Sequence, residues 1–192
     1  MCKIYVYMAK IADFLDNTNL PPFAEEEIAK ITNQNVINQK KSTFGLLKKA
    51  VKEVFDFDDD FKHIEKTKNG KPISSKYFLS ISHSKNVVAV AIASENIGID
   101  VEMIDEKKDF NKLKKYILNK NETMISSIEE LTSLWTKKEA KFKFYGGERF
   151  IPKNINTLDF DAKSFQFVNK GAKYILSVVA DNLEKINIVN LI

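Results

Sequence analysis

The sequence is short of the features that most readily assign a function. Its 192 residues include one cysteine, Cys2, and one arginine, Arg149. A lone cysteine forms no internal disulfide, which fits a reducing cytosol rather than a disulfide-stapled secreted fold. With one arginine, positive charge rests on lysine, which cannot make the planar two-pronged contact to phosphate that a guanidinium makes. Neither G-x-x-x-x-G-K-[ST] nor G-x-G-x-x-G occurs, so both common phosphate loops are missing. No apolar run approaches membrane-spanning length. The opening stretch, MCKIYVYMAKIADFLD, has neither the long apolar segment nor the small-residue cleavage site of a signal peptide. Low-complexity segments and long linkers are also lacking. The expectation is a cytoplasmic protein with no membrane partner.

What is present is an ordinary globular composition, 44% hydrophobic and 29% charged, enough for one large domain or two small lobes. The net charge of +4 is too small to argue for nucleic acid. It suits an acidic partner or a polyphosphate, and scattered lysines in an Asn-rich chain are also what genomic composition alone produces.

Hydrophobic spacing predicts a strand over 3–11, a helix over 23–39 after Pro21-Pro22, and a second helix over 40–55 stopped by an acidic patch at 56–60. KTKNGKPISSK reads as turns. Strands are expected over 77–82 and 87–93 around a polar turn, His83-Ser84-Lys85-Asn86, and again over 97–104. A Lys-rich amphipathic stretch covers 107–120, and the strongest helix pattern covers 128–145. Alternation then predicts strands over 155–160, 164–168, 173–180 and 185–191. Strands and helices interleave in both halves, and Ser94-Glu95-Asn96 is the best boundary, dividing the chain into lobes 1–95 and 96–192.

Four short stretches carry chemistry. In Gly98-Ile99-Asp100-Val101-Glu102, period two puts both carboxylates on one strand face and the apolar residues on the other. Close carboxylates repel and raise each other's pKa. A divalent cation such as Mg²⁺ relieves this, because it takes hard oxygen ligands from one or two carboxylates plus substrate phosphates. The plainer alternative is a solvent-facing edge of a half-buried sheet. In LWTKKEAKFKFYGG, helical spacing aligns Trp135, Glu139, Phe142 and Lys143, an apolar face that also carries an acid and a base. A surface Glu–Lys pair beside a core stripe would look the same. Ser82 and His83 follow a strand at a turn able to meet an anion, and Asn69-Gly70-Lys71-Pro72 presents one lysine on a tight turn. A turn histidine and a surface turn are the ordinary readings of these two.

Taken in order, these stretches resemble the 4'-phosphopantetheinyl transferase superfamily. Residues 98–102 match its G-[IV]-D-[IVL]-E signature. Residues 135–140 with Lys143 match [WF]-[STC]-x-K-E-[AS]-x-x-K, and Glu139 lies 39 positions after Asp100, close to the family spacing. The two earlier motifs are similar to those of the two-lobed, surfactin-synthetase-activating type, which works as a monomer. The resemblance is firm over about 65–147 and rests on layout elsewhere; the first lobe is short for this type.

The resemblance implies an α+β fold of two pseudo-symmetric α/β lobes, the first on the nucleotide side and the second carrying the metal and catalytic motifs. It implies a holo-[carrier protein] synthase that moves the phosphopantetheine arm of coenzyme A to a carrier serine and releases 3',5'-ADP. Asp100, Glu102 and Glu139 would hold Mg²⁺ or Mn²⁺. Glu139 would also serve as base and Lys143 as a charge on the diphosphate. Ser82 and His83 would meet the nucleotide 3'-phosphate, and Lys71 would reach the nucleotide end. Lys40, Lys41, Ser42 and Thr43 stand where the family places basic and hydroxyl residues, without its usual arginine. The acidic, helical apo carrier would dock near Lys107, Lys112 and Lys115, with Phe110, Leu113, Tyr116 and Ile117 as an apolar anchor. Two alternatives stay open: a non-catalytic paralogue that binds coenzyme A or a carrier, and a generic Mg-dependent nucleotide enzyme.

Overall fold

The computed structural model describes residues 3–16 and 19–192, so the reading of Cys2 falls outside the described residues. The chain begins with β1 (Ile4–Lys10), a 3-10 turn over Ile11–Phe14, and two helices, α1 (Pro22–Ile28) and α2 (Gln34–Phe55). The single helix expected over 23–39 is therefore divided. The Asn33 side chain accepts a hydrogen bond from the Asn35 N–H and starts a new helix there. α2 ends at Asp56, whose φ of 54° turns the chain out of the helix.

KTKNGKPISSK forms more than turns: β2 (Ile64–Lys66) and β3 (Pro72–Ser74) pair antiparallel around it. Next come β4 (Phe78–Ser84), β5 (Val87–Ala93) and β6 (Ile97–Met103). The expected four-residue turn at 83–86 shrinks to Lys85-Asn86, and Lys85 takes φ 53°. His83 and Ser84 thus belong to β4, opposite Val88 and Val87, so no open turn of free N–H groups exists at that point.

The second half contains α3 (Phe110–Ile117), α4 (Ile128–Tyr145), β7 (Lys163–Asn169), β8 (Ala172–Ala180) and β9 (Ile186–Asn190). The strand expected over 155–160 is instead a 3-10 turn, Thr157–Asp159, which follows another over Pro152–Asn154. There the Thr157 N–H donates to a carboxylate, that of Glu122, rather than to a neighbouring strand.

One sheet runs β4-β5-β1-β9, the other β6-β8-β7. β5, VVAVAIA, is buried along its whole length because both of its faces are covered. Val88, Val90 and Ile92 pack under Phe44, Leu47 and Val51 of α2. Ala89, Ala91 and Ala93 face Ile99, Val101, Leu176 and Val178 of the second sheet, and their small size lets the sheets approach. α4 covers the outer face of the second sheet, where Thr136 bonds Ser177 at 2.7 Å. The result is a mixed α and β stack: helix, sheet, sheet, helix. The 95/96 division is crossed, since β9 pairs in parallel with β1.

Candidate active site

The site forms where β6 meets α4. Gly98 makes the approach possible, because a Cβ there would lie 2.0 Å from the Ala140 carbonyl oxygen. Two residues on, Asp100 is 3% exposed beneath the helix. Its Oδ1 accepts from the Ser82 hydroxyl and from the Lys143 ammonium, each at 2.7 Å. Lys143 Nζ also lies 4.0 Å from Glu139 Oε2 and donates to Ser82 Oγ at 3.2 Å. Glu102 accepts from Ser84 Oγ at 2.8 Å. Both faces of β6 are thus occupied, which removes the solvent-facing-edge reading of the Asp-x-Glu pair. The Lys143–Glu139 pairing is likewise more than a surface ion pair, since the shorter bond from Lys143 goes to buried Asp100.

The acids act on one another through their charges. Glu139 is pushed up to about 7, by burial first and then by the Asp100 charge, against the pull of Lys143. Burial also raises Glu102, partly offset by the Ser84 hydrogen bond. Asp100 Oδ2 is the one buried side-chain oxygen or nitrogen without a hydrogen-bond partner among the described residues. A buried oxygen with nothing to accept from, beside two further acids and one ammonium, fits a hard divalent cation. The three carboxylates are nonetheless not preassembled into a metal cage among the described residues.

Two cavities flank this centre. The larger, about 540 Å³, is walled by Lys71, Pro72, Ile81, Phe142, Lys143 and Gly147. Lys71 is half-buried there and donates to the Lys143 carbonyl oxygen at 2.6 Å; burial lowers its pKa. Its ammonium is therefore tied to the end of α4. The smaller cavity, about 170 Å³, is lined by Phe23, Lys40, Thr43, Lys66, Pro72 and His83. Lys40 and Lys66 both pair with Glu27 at its mouth. Ser42 lies away from this wall: it is fully buried and donates to the Ile11 carbonyl. Thr43 is the hydroxyl residue that lines it, and half-buried Lys41 falls outside the lining.

No family model matches the chain. Among curated proteins it is 29% identical over 152 residues to the 4'-phosphopantetheinyl transferase gsp of Aneurinibacillus migulanus, covering 75% of this chain and 63% of that relative. The chain is thus similar, over three quarters of its length, to a protein named as a 4'-phosphopantetheinyl transferase. The alignment spans less than two thirds of the relative's length.

Within the signature that resembles the 4'-phosphopantetheinyl transferase superfamily, sequence reasoning gave Lys138 no task, and the structure supplies one. Lys138 is fully buried, and its ammonium donates to the Ile117 and Pro152 carbonyls, both at 2.9 Å, and to Glu122 at 2.6 Å. It pins the segments after α3 and before Thr157 onto α4, one residue away from Glu139. No spacing rule links Lys138 to Glu122, since the acid sits in a loop. The only available signal was a lysine flanked by core positions. Ser84 was also passed over, being a short hydroxyl residue in a stretch read as a turn.

Proposed function

We propose that the chain transfers the phosphopantetheine arm of coenzyme A to a serine hydroxyl of an apo carrier protein, releasing 3',5'-ADP. The observation that carries this reading is buried Asp100, whose Oδ2 is unpartnered and whose Oδ1 accepts from Lys143, itself 4.0 Å from Glu139 and lining a cavity of about 540 Å³. In the reaction the serine oxygen bonds to the phosphorus that carries pantetheine, the bond to the bridging diphosphate oxygen breaks, and the serine proton leaves. Glu139 would take that proton. Lys143 sets a positive charge beside the diphosphate and can exchange its bond to Asp100 for one to phosphate. His83, Lys40 and Thr43 line the smaller cavity and would receive the nucleotide phosphate. Mg²⁺ bound by Asp100, Glu102 and Glu139 would neutralise charge on the diphosphate and on the departing ADP.

The test is direct. Protein, Mg²⁺, coenzyme A and an apo carrier are mixed and the carrier is weighed by mass spectrometry. One added phosphopantetheine is expected, with the rate falling at least about 10²-fold for Glu139→Gln. Coenzyme A binding without any mass gain on fatty-acid, polyketide or peptide carriers would favour a non-catalytic binder instead.

Docking of the acidic carrier is assigned to α3. Leu113 and Ile117, expected in the apolar anchor, turn inward and pack with Leu131 and Leu134. Tyr116 stays 57% exposed, and Lys112 and Lys115 are exposed beside it. A groove of about 140 Å³ runs from Tyr116 and Trp135 to Glu102, linking this surface to the acids. Lys112→Glu with Lys115→Glu should raise KM for the carrier about tenfold, with KM for coenzyme A unchanged. An equal rise in both would remove the docking assignment.

A further inference from the structure

β4 and β6 lie side by side but belong to different sheets. β6 is the edge of its own sheet, and the N–H groups along that edge need acceptors. Three serines of β4 provide them. Ser80 Oγ accepts from Ile99 N at 3.0 Å, Ser82 Oγ from Val101 N at 3.2 Å, and Ser84 Oγ from Met103 N at 3.1 Å. The serines sit at every second residue, so they share one face of the strand. All are buried, at 3%, 6% and 6% exposure.

A hydroxyl has one proton to give as well as lone pairs to offer. Ser82 gives its proton to Asp100, and Ser84 gives its proton to Glu102 Oε2 at 2.8 Å. Each serine therefore accepts from one β6 N–H and donates to the carboxylate of the residue before it. At the third rung that preceding residue is Gly98, so Ser80 has no carboxylate to hold. The ladder thus contains its own control: one rung that only joins strands, and two that also aim acids.

We infer that Ser84 is a positioning residue for Glu102, fixing the carboxylate toward Asp100 through a hydroxyl locked by the Met103 N–H. The inference rests on the reading of Asp100, Glu102 and Glu139 as cation ligands, and it assigns Ser84 no contact with substrate. Because the Met103 N–H fills an acceptor position on the hydroxyl, the Ser84 proton is directed at Glu102 in a single orientation. Loss of such a supporting hydrogen bond behind a ligand typically weakens metal affinity by about 10–100-fold.

The experiment measures Mn²⁺ binding to the whole protein, without substrates, from the loss of the free-ion paramagnetic resonance signal. Ser84→Ala is expected to raise the Mn²⁺ Kd about tenfold, whereas Ser80→Ala leaves it within about twofold of wild type, the two variants losing similar amounts of thermal stability. Ser84→Thr, which keeps the hydroxyl, should restore affinity. Ser84→Cys, of similar size but a weaker donor, should fall between, and it reports on the same bond if the alanine variant folds poorly. In a Glu102→Gln background, Ser84→Ala should add nothing further. If wild type binds Mn²⁺ and Ser84→Ala matches Ser80→Ala, the positioning role is overturned while the cation reading stands. If wild type binds no Mn²⁺, the cation reading and this inference are overturned together.

Discussion

Lys138→Met is expected to lower the melting temperature by about 10 °C. The lysine is fully buried and its ammonium has three acceptors, two carbonyl oxygens and Glu122. Removing one member of such a pair leaves the other charge buried without its partner, at about 3–5 kcal/mol. In a chain of this size each kcal/mol moves the melting temperature by about 2–4 °C. Adding Glu122→Leu removes the stranded charge and should recover part of the loss. Acidification gives a second check. Burial acts to raise the Glu122 pKa, but hydrogen bonds from Lys138 and from the Thr157 and Asn119 N–H groups hold it below the ordinary glutamate value. The unfolded chain therefore binds this proton more readily than the fold. The pair's stabilisation is complete above the ordinary glutamate range and fades as pH falls through the lower folded value. Without Lys138 the carboxyl protonates more easily, so the gap between variant and wild type should narrow from about pH 7 to about pH 4. Calorimetry across that range measures both effects, and a variant melting within about 2 °C of wild type would show that the clamp holds nothing.

Gly98→Ala is the second large effect. The new methyl would meet backbone on two sides, the Ala140 oxygen at 2.0 Å and the Phe144 nitrogen at 2.6 Å. Backbone cannot swing aside as a side chain can, so α4 must move off β6. The strain should reach about 3 kcal/mol, the upper end for one extra carbon in a packed interior, or roughly 8 °C in melting temperature. The displaced helix carries Glu139 and Lys143, so their distances to Asp100 grow. A shift of about 1 Å in a reacting group can cost about 10²-fold in rate, and carrier modification should fall by that order. Wild-type melting together with wild-type Mn²⁺ affinity in this variant would refute the account of Gly98.

The centre of the site could be read from the chain because its two halves obey simple periods. Asp100 and Glu102 share a strand face by spacing of two, and Glu139 and Lys143 share a helix face by spacing of four. That strand and helix would meet was not written in either period. Gly98 was the hint, a glycine inside a strand being a sign of close approach. Elsewhere local pattern misled where side chains serve distant partners. Ser84 and His83 looked like turn residues because they are polar, but β4 is polar on one side to cap the β6 edge. Residues 155–160 alternate like a strand, yet Glu122 draws the Thr157 N–H and hydroxyl into a 3-10 turn. The apolar pattern over 23–39 ran through a real break at Asn33, whose capping side chain was the local signal.

The parallel pairing of β1 with β9 sets Ile4 beside Ile186 and Met8 beside Asn190. During synthesis the first strand must therefore wait for nearly the last before the outer position of its sheet is filled. Until then the emerging polypeptide carries an unpaired ribbon, open to pairing with other nascent chains. Ribosome-bound intermediates halted before residue 186 should be the species most dependent on chaperones.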